Sequence, residues 1–466
     1  MKQMIYGIRG KVLAVVLLLS SAAQAQRHQF SARQAADYAR KNNVQVKNAL
    51  LDVQIQQQTN REITASAYPQ INASGNLNYY PNVGVQTFPN FIAAGTYGVL
   101  SDEGVLNGSG QPIKSPTDFG FIQAQFGTRF VNTVGASLQQ LLFDGQVFVG
   151  LQARRASIDF RNKAIEVTEE AIRANVYKVY YQLAASKSQI AILDANIANV
   201  QKFLSDTRKS FENGFAEKLD ISKLEVQVNN LLTERQRALN NISNGYIGLK
   251  FLMGMPIRDT LILTDSITYE DIRSGVLDAA QYNYEDRKEY QYAQLGLKLG
   301  EYNIRRYKLS KLPTVSLSSN FNYLRQANNF GFGGQWFPSS LIGLNVNIPI
   351  FDGFARKARL ERAQLEQQQN VNNIENLKLT IDSDVQQAVN NYTSALATLD
   401  AQKRNRELAE QVYNTTRLKF QEGVGSSTEI SAAQTDLQTA QNNYILALYD
   451  ASNARIDFLK ATGKLQ

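Results

Sequence analysis

TRKSFENGFAEKLDISKLEVQ, beginning at Thr207, and TRLKFQEGVGSSTEISAAQTD, beginning at Thr416, are one pattern written twice. The match runs without a gap from Thr207–Gly254 onto Thr416–Gly463. It also reaches backwards: Phe143-Asp144-Gly145 returns as Phe351-Asp352-Gly353, and YPQI around Pro69 returns as LPTV around Pro313. An internal duplication means that each copy is one structural unit and that neighbouring units complete each other. Each copy here holds strand-like segments followed by long helical ones, so both must enter the shape.

The first 25 residues stand outside this pattern. Lys2, Arg9 and Lys11 precede the apolar run Val12–Leu19, and Ala23-Gln24-Ala25 has the small-x-small form of a signal-peptidase site. An apolar core of about eight residues is too short to span a bilayer. Gln26 follows the site, so no cysteine stands there to receive a lipid. The chain has no cysteine at all and one histidine, His28, which as a residue near a mature N-terminus is expected to be solvated. Disulfides, thiolate sites, histidine-bound metals and hydrolase triads are thereby excluded. No catalytic, cofactor-binding or metal-binding residue is assigned. The formal charge of +8 loses the signal's three basic residues, and no Lys/Arg run interleaved with aromatics occurs, which excludes nucleic acid as a partner.

Four segments alternate with period two. After Pro69, Ile71, Ala73, Gly75, Leu77 and Tyr79 alternate with Asn72, Ser74, Asn76 and Asn78. After Pro313, Val315, Leu317, Phe321 and Tyr323 alternate with Ser316, Ser318, Asn320 and Asn322. Two more such segments lead into the Phe-Asp-Gly triplets, giving strands near 70–80, 128–143, 314–324 and 340–351. The polar face is almost free of charge, and aromatics including Tyr79, Tyr80, Phe330 and Trp336 gather at one end. A tilted strand between lipid and a wet lumen has these features, so Asn72, Asn76, Ser316 and Asn320 are expected to line a lumen. Four strands cannot close a barrel, and unpaired edges in lipid cost several kcal/mol per backbone group. Closure therefore calls for further copies of the chain. The segment between the first two strands, Tyr80–Thr128, reads as a long Gly-, Asn- and Pro-rich loop.

After each Phe-Asp-Gly the period becomes seven. Leu151, Ile158, Ile165, Ile172, Val179, Leu193 and Val200 form one row, interrupted at Ser186; Val176, Leu183, Ile190, Ile197, Leu204 and Phe211 form another. The second copy repeats them through Ile374, Ile381, Ala388, Ala395 and Ala409, and through Val385, Tyr392, Leu399, Tyr413 and Phe420. Heptads impose left-handed supercoiling, and some 60 to 70 residues make a helix about 100 Å long. Gly214 and Gly423 end the rows, each followed six residues later by an acid, Asp220 or Glu429, as at a tight turn between antiparallel helices. Helical hairpins are expected over 146–254 and 354–463. The first repeat then occupies 26–260 and the second 261–466. Asp382 and Asp384 read as solvated helix face.

Taken together, the chain resembles the TolC-like outer-membrane channels of the outer-membrane efflux protein family. The resemblance spans about Arg33 to Gly463 and is most specific at the tips, F211-E-N-G-F-A-E-K-L-D and F420-Q-E-G-V-G-S-S-T-E. It implies a mixed α+β membrane protein: a homotrimer whose 12-stranded β-barrel, four strands per protomer, continues into a long periplasmic α-helical coiled-coil barrel. It also implies a passive exit duct in the outer membrane of a Gram-negative bacterium, in contact with outer-membrane lipid. A periplasmic adaptor protein would dock at Gly214, Phe215, Gly423, Val424 and Gly425, joining the duct to an inner-membrane transporter of proton-driven or ABC type. By the same resemblance Asp220 and Glu429 lie at a periplasmic gate. Gly425 and Ala432 stand where the family's best-known pattern has an Arg and a second acid; Asp436, one turn on, can supply a second acidic layer. Drug, metal and protein export all fit this reading. The competing class is a secreted structural coiled-coil or a periplasmic adaptor, but an adaptor would carry one hairpin with lipoyl-like flanks, whereas this chain has two equivalent hairpins and no such flanks.

Overall fold

The period-two segments become one antiparallel sheet. A computed structural model describes residues 27–273 and 282–465, so the expected signal peptide, 1–25, lies outside the described residues. The strands, in chain order, are β1 (Arg27–Phe30), β2 (Gln70–Tyr79), β3 (Val85–Pro89), β4 (Phe121–Gln125), β5 (Phe130–Phe143), β6 (Thr260–Leu263), β7 (Thr314–Ala327) and β8 (Phe337–Asn347). The helices are α1 (Ala32–Asn42), α2 (Val44–Ala65), α3 (Phe91–Asp102), α4 (Gly145–Glu212), α5 (Lys218–Met253), α6 (Tyr269–Arg273), α7 (Lys288–Leu309), α8 (Ala355–Gln421) and α9 (Ser427–Ala461). The described residues form two compact units: one is built from 59–152 and 302–361, the other from the remaining described residues.

The first unit holds the sheet, in the order β2-β5-β7-β8. Asn72 faces Ser137, which faces Asn320; Ser316 faces Asn345. Because directly opposed residues share a face, Asn72, Asn76, Thr133, Ser137, Ser316, Asn320 and Asn345 fall on one side. Ile71, Leu138, Phe321, Leu317 and Leu344 fall on the other. A bulge between Leu141 and Phe143 ends the regular ladder of β5. Polar residues also occur on the apolar side: Gln140, Ser319 and Ser340, and the directly paired Asn132 and Arg325. The stretch 80–128, expected to be a plain loop, contains the β3–β4 hairpin and α3. Their five-residue strands and a helix with two glycines and no polar face carry no usable periodicity.

In the second unit the middle members of the heptad rows are buried. Ile172, Val176 and Leu183 of α4 pack with Val46, Leu249, Met253 and the β1–β6 pair. Farther along α4, Leu193, Ile197 and Val200 meet Leu224, Val228 and Leu231 of α5. Ile381, Val385, Tyr392 and Leu399 of α8 pack on Tyr444, Leu448 and Phe458 of α9. The long helices have 68 and 67 residues, about 100 Å each at 1.5 Å per residue. The returning ones have 36 and 35. Each short helix ends against another element: Asn43 Nδ2 donates to Leu252 O at 2.7 Å, and Arg287 Nη1 donates to Ala461 O at 2.9 Å. Carbonyls left unpaired at a helix end are thus satisfied by side chains from much earlier in the chain.

His28 is not a solvated terminal residue. It lies in β1, opposite Leu261, with Nε2 3.4 Å from the Asp259 carboxylate and its ring stacked near Phe30. The parallel β1–β6 pair holds it there, and Tyr180 locks the pair by donating to Phe30 O and accepting from the amides of Thr264 and Asp265. Asp382 is likewise no bare solvated carboxylate. It accepts from Tyr282 and Tyr284 at 2.6 and 2.8 Å, and those bonds hold its carboxyl below the ordinary range while pushing the Tyr282 phenol up to about 12. Asp384 lies 3.6 Å from Arg287 Nη2. Both partnerships span about a hundred residues of sequence, a separation at which spacing gives no signal.

Candidate functional site: the helical tips and the polar sheet face

At each tip the same backbone bonds end one helix, and the acid three residues into the next accepts from its N-cap amide. Gly214 N donates to Phe211 O and Phe215 N to Ser210 O; Gly423 N donates to Phe420 O and Val424 N to Lys419 O. This is the closure of a helix by a left-handed residue, and Gly214 and Gly423 have φ of +80° and +77°. No atom would obstruct a Cβ at either glycine, so the requirement is conformational rather than steric. At Gly425 the reverse holds: its φ is ordinary, but a Cβ would press within 3.0 Å of Phe420 N. The turns leave Phe215 87% and Val424 77% exposed, so each tip presents an apolar side chain to solvent.

Asp220 and Glu429, expected at a gate, make hydrogen bonds at the starts of their helices. Asp220 Oδ2 accepts from Glu217 N at 3.4 Å. Glu429 Oε2 accepts from Ser426 N at 3.2 Å while Ser426 Oγ accepts from Glu429 N at 3.1 Å, a complete capping box. Asp436 is exposed, seven residues beyond Glu429 on α9, hence on the same helical face. The two hairpins are joined behind their tips: the Phe203 ring of α4 meets Phe420 of α8 edge-on at 5.0 Å, packed with Tyr413, Ile430 and Leu437. A polar relay crosses the same body, with Gln434 donating to Asn196 and Asn196 to Gln441. Asn196 is 2% exposed, and a buried amide is tolerated because these partners satisfy it. Nothing in the local sequence marks this relay, since its members lie about 240 residues apart.

Asn72, Asn76, Ser316 and Asn320 share the polar side of the sheet, as its register requires. Cross-strand bonds such as Asn345 Nδ2 to Ser318 Oγ at 2.9 Å run along it. Among the described residues no helix is long and apolar enough to cross a membrane.

Comparison with known proteins places this geometry. The sequence profile of the family described as outer membrane efflux protein matches residues 35–255 and 283–464, one stretch in each repeat. The chain is similar to outer membrane protein TolC of Vibrio cholerae, 21% identical over 340 residues covering 72% of this chain and 77% of that protein. It is similar also to the probable efflux pump outer membrane protein TtgC of Pseudomonas putida, 22% identical and covering 72% and 69%. Among solved structures, that of CusC superposes with a TM-score of 0.72 at 17% identity, covering 93% of this chain and 92% of CusC. The matched stretches take in most of both repeats, and this chain belongs to the outer membrane efflux protein family, the outer-membrane exit ducts of efflux and secretion systems.

Proposed function

We propose that three copies of this chain assemble into a 12-stranded barrel that passes cargo without chemistry, and that the two helical tips dock a periplasmic adaptor fed by an inner-membrane transporter. The observation that carries the docking is the likeness of the two turns: glycine at positive φ, then an exposed apolar side chain, Phe215 or Val424. Six such apolar tips in a trimer give an adaptor repeating, nearly equivalent footholds. The free edges of β2 and β8 support closure by neighbouring copies, since open sheet edges do not persist in lipid. In that barrel Asn72, Asn76, Ser316 and Asn320 line the lumen and the Leu317/Phe321 side meets lipid. Asp220, Glu429 and Asp436 then form rings of like charge toward the periplasmic end, a constriction of the kind that favours cations, while Asp220 and Glu429 also cap their helices.

Valine at Gly214 and Gly423 tests the docking. A β-branched residue at positive φ is strained by about 1 to 3 kcal/mol, enough to reshape a turn without unfolding helices of this length. Trimers should reach the outer membrane in normal amount while transport in cells is lost. Normal transport by the double variant would remove the tips from the adaptor site.

A further inference from the structure

We infer that Arg325 and the 328–336 loop form a binding site for the phosphate group of an outer-leaflet lipid. The inference rests on the proposed lipid-facing side of the sheet. Arg325 stands on that side, two residues before the end of β7, in register with Asn132. It is 4% exposed. Its Nε donates to Gly333 O, its Nη2 makes a long 3.5 Å contact to Asn329 Oδ1, and its Nη1 has no partner. A guanidinium removed from water with neutral acceptors and no counter-charge is in the costly condition that a bound anion relieves.

The surroundings suit such an anion. Arg325 lines a cleft of about 460 Å³ with Asn329, Gln326, Gln335 and the glycines of the loop, and no acidic residue lines it. On the same side, Tyr79 meets Phe130 at 4.8 Å and Phe130 meets Phe330 at 5.7 Å, an aromatic row of the sort found at headgroup depth. A phosphate entering beside Asn329 replaces the long amide contact and supplies the acceptor that Nη1 lacks, with two guanidinium nitrogens engaged as planar recognition prefers.

The test uses the full-length trimer, delipidated in detergent and examined by native mass spectrometry with added bisphosphorylated lipid A or with the same lipid after enzymatic dephosphorylation. The wild-type protein should retain the phosphorylated lipid about tenfold more tightly. Arg325→Gln should abolish that preference and Arg325→Lys should keep part of it. Arg129→Gln, an exposed cation at the same end of the sheet, should leave it intact. Equal retention of the two lipids by the wild-type protein overturns the inference even if the variants assemble poorly. Displacement of the lipid by inorganic phosphate also overturns it, by assigning the cleft to a free anion. Since transport in cells is read separately, loss of the lipid preference beside normal transport leaves the duct reading intact.

Discussion

Glu170 of α4 is a carboxylate that the helical body holds at a cost. It is 6% exposed, its Oε2 lacks a hydrogen-bond partner, and burial, with Glu289 adding to it, pushes its pKa up against the opposing pull of Arg287 and Lys460. The folded state therefore holds this proton more tightly than the unfolded chain, and stability falls as pH rises from the ordinary glutamate range through the raised value. Glu170→Gln should raise the apparent melting temperature of the trimer at pH 8, with the advantage shrinking toward pH 4; an advantage independent of pH would contradict this account. At the tips the capping seen at Glu429 and the proposed charge ring are also separable residue by residue. Glutamine closes a capping box as glutamate does, so Glu429→Gln with Asp436→Asn removes charge and leaves the start of α9 intact. We expect lower cation selectivity and weaker block by trivalent cations in planar bilayers. Unchanged selectivity would leave capping as the sufficient role of Glu429. The tip glycines and their acids were legible because turn chemistry is local. The buried partners Asn196, Gln434 and Asn132 were not, because each is defined by contacts made far along the chain.

At the level of elements, the sheet makes the sharpest claim. Asn320 and Phe321 are neighbours near the middle of β7, on opposite sides, with Asn320 facing Ser137 and Phe321 facing Ala136. A cation on the lipid side at mid-depth costs about 2 to 4 kcal/mol, whereas one in a wet lumen keeps its hydration. Phe321→Arg should reduce the yield of assembled protein in the outer membrane, and Asn320→Arg should assemble normally and alter conductance. Equal yields would mean that the faces are misassigned. The strands and heptad helices could be read from sequence because alternation over ten residues and a row repeated every seven are redundant signals. The β1–β6 pair could not: four-residue strands more than two hundred residues apart are recognisable only once Tyr180 and the α1 core are in place. The β3–β4 hairpin and α3 are illegible for a related reason, since five-residue strands and a short, mostly apolar helix with two glycines fit many structures equally well.

For the whole molecule the central claim is closure by three copies. The sheet ends in β2 on one side and β8 on the other, and successive strands alternate in direction, so β8 of one copy can continue antiparallel into β2 of the next. The absence of native cysteine makes this directly measurable. Cysteine at Ser340 of β8, combined in turn with cysteine at Ser74, Gly75 or Asn76 of β2, scans the register across the joint. Oxidation in outer membranes, followed by denaturing electrophoresis without reductant, is the measurement. At one register the account predicts a ladder of one, two and three linked chains that stops at three, with full oxidation converting the protein to the closed trimer. Cross-links that run on beyond three chains, or chains that remain monomeric at every register, would contradict it.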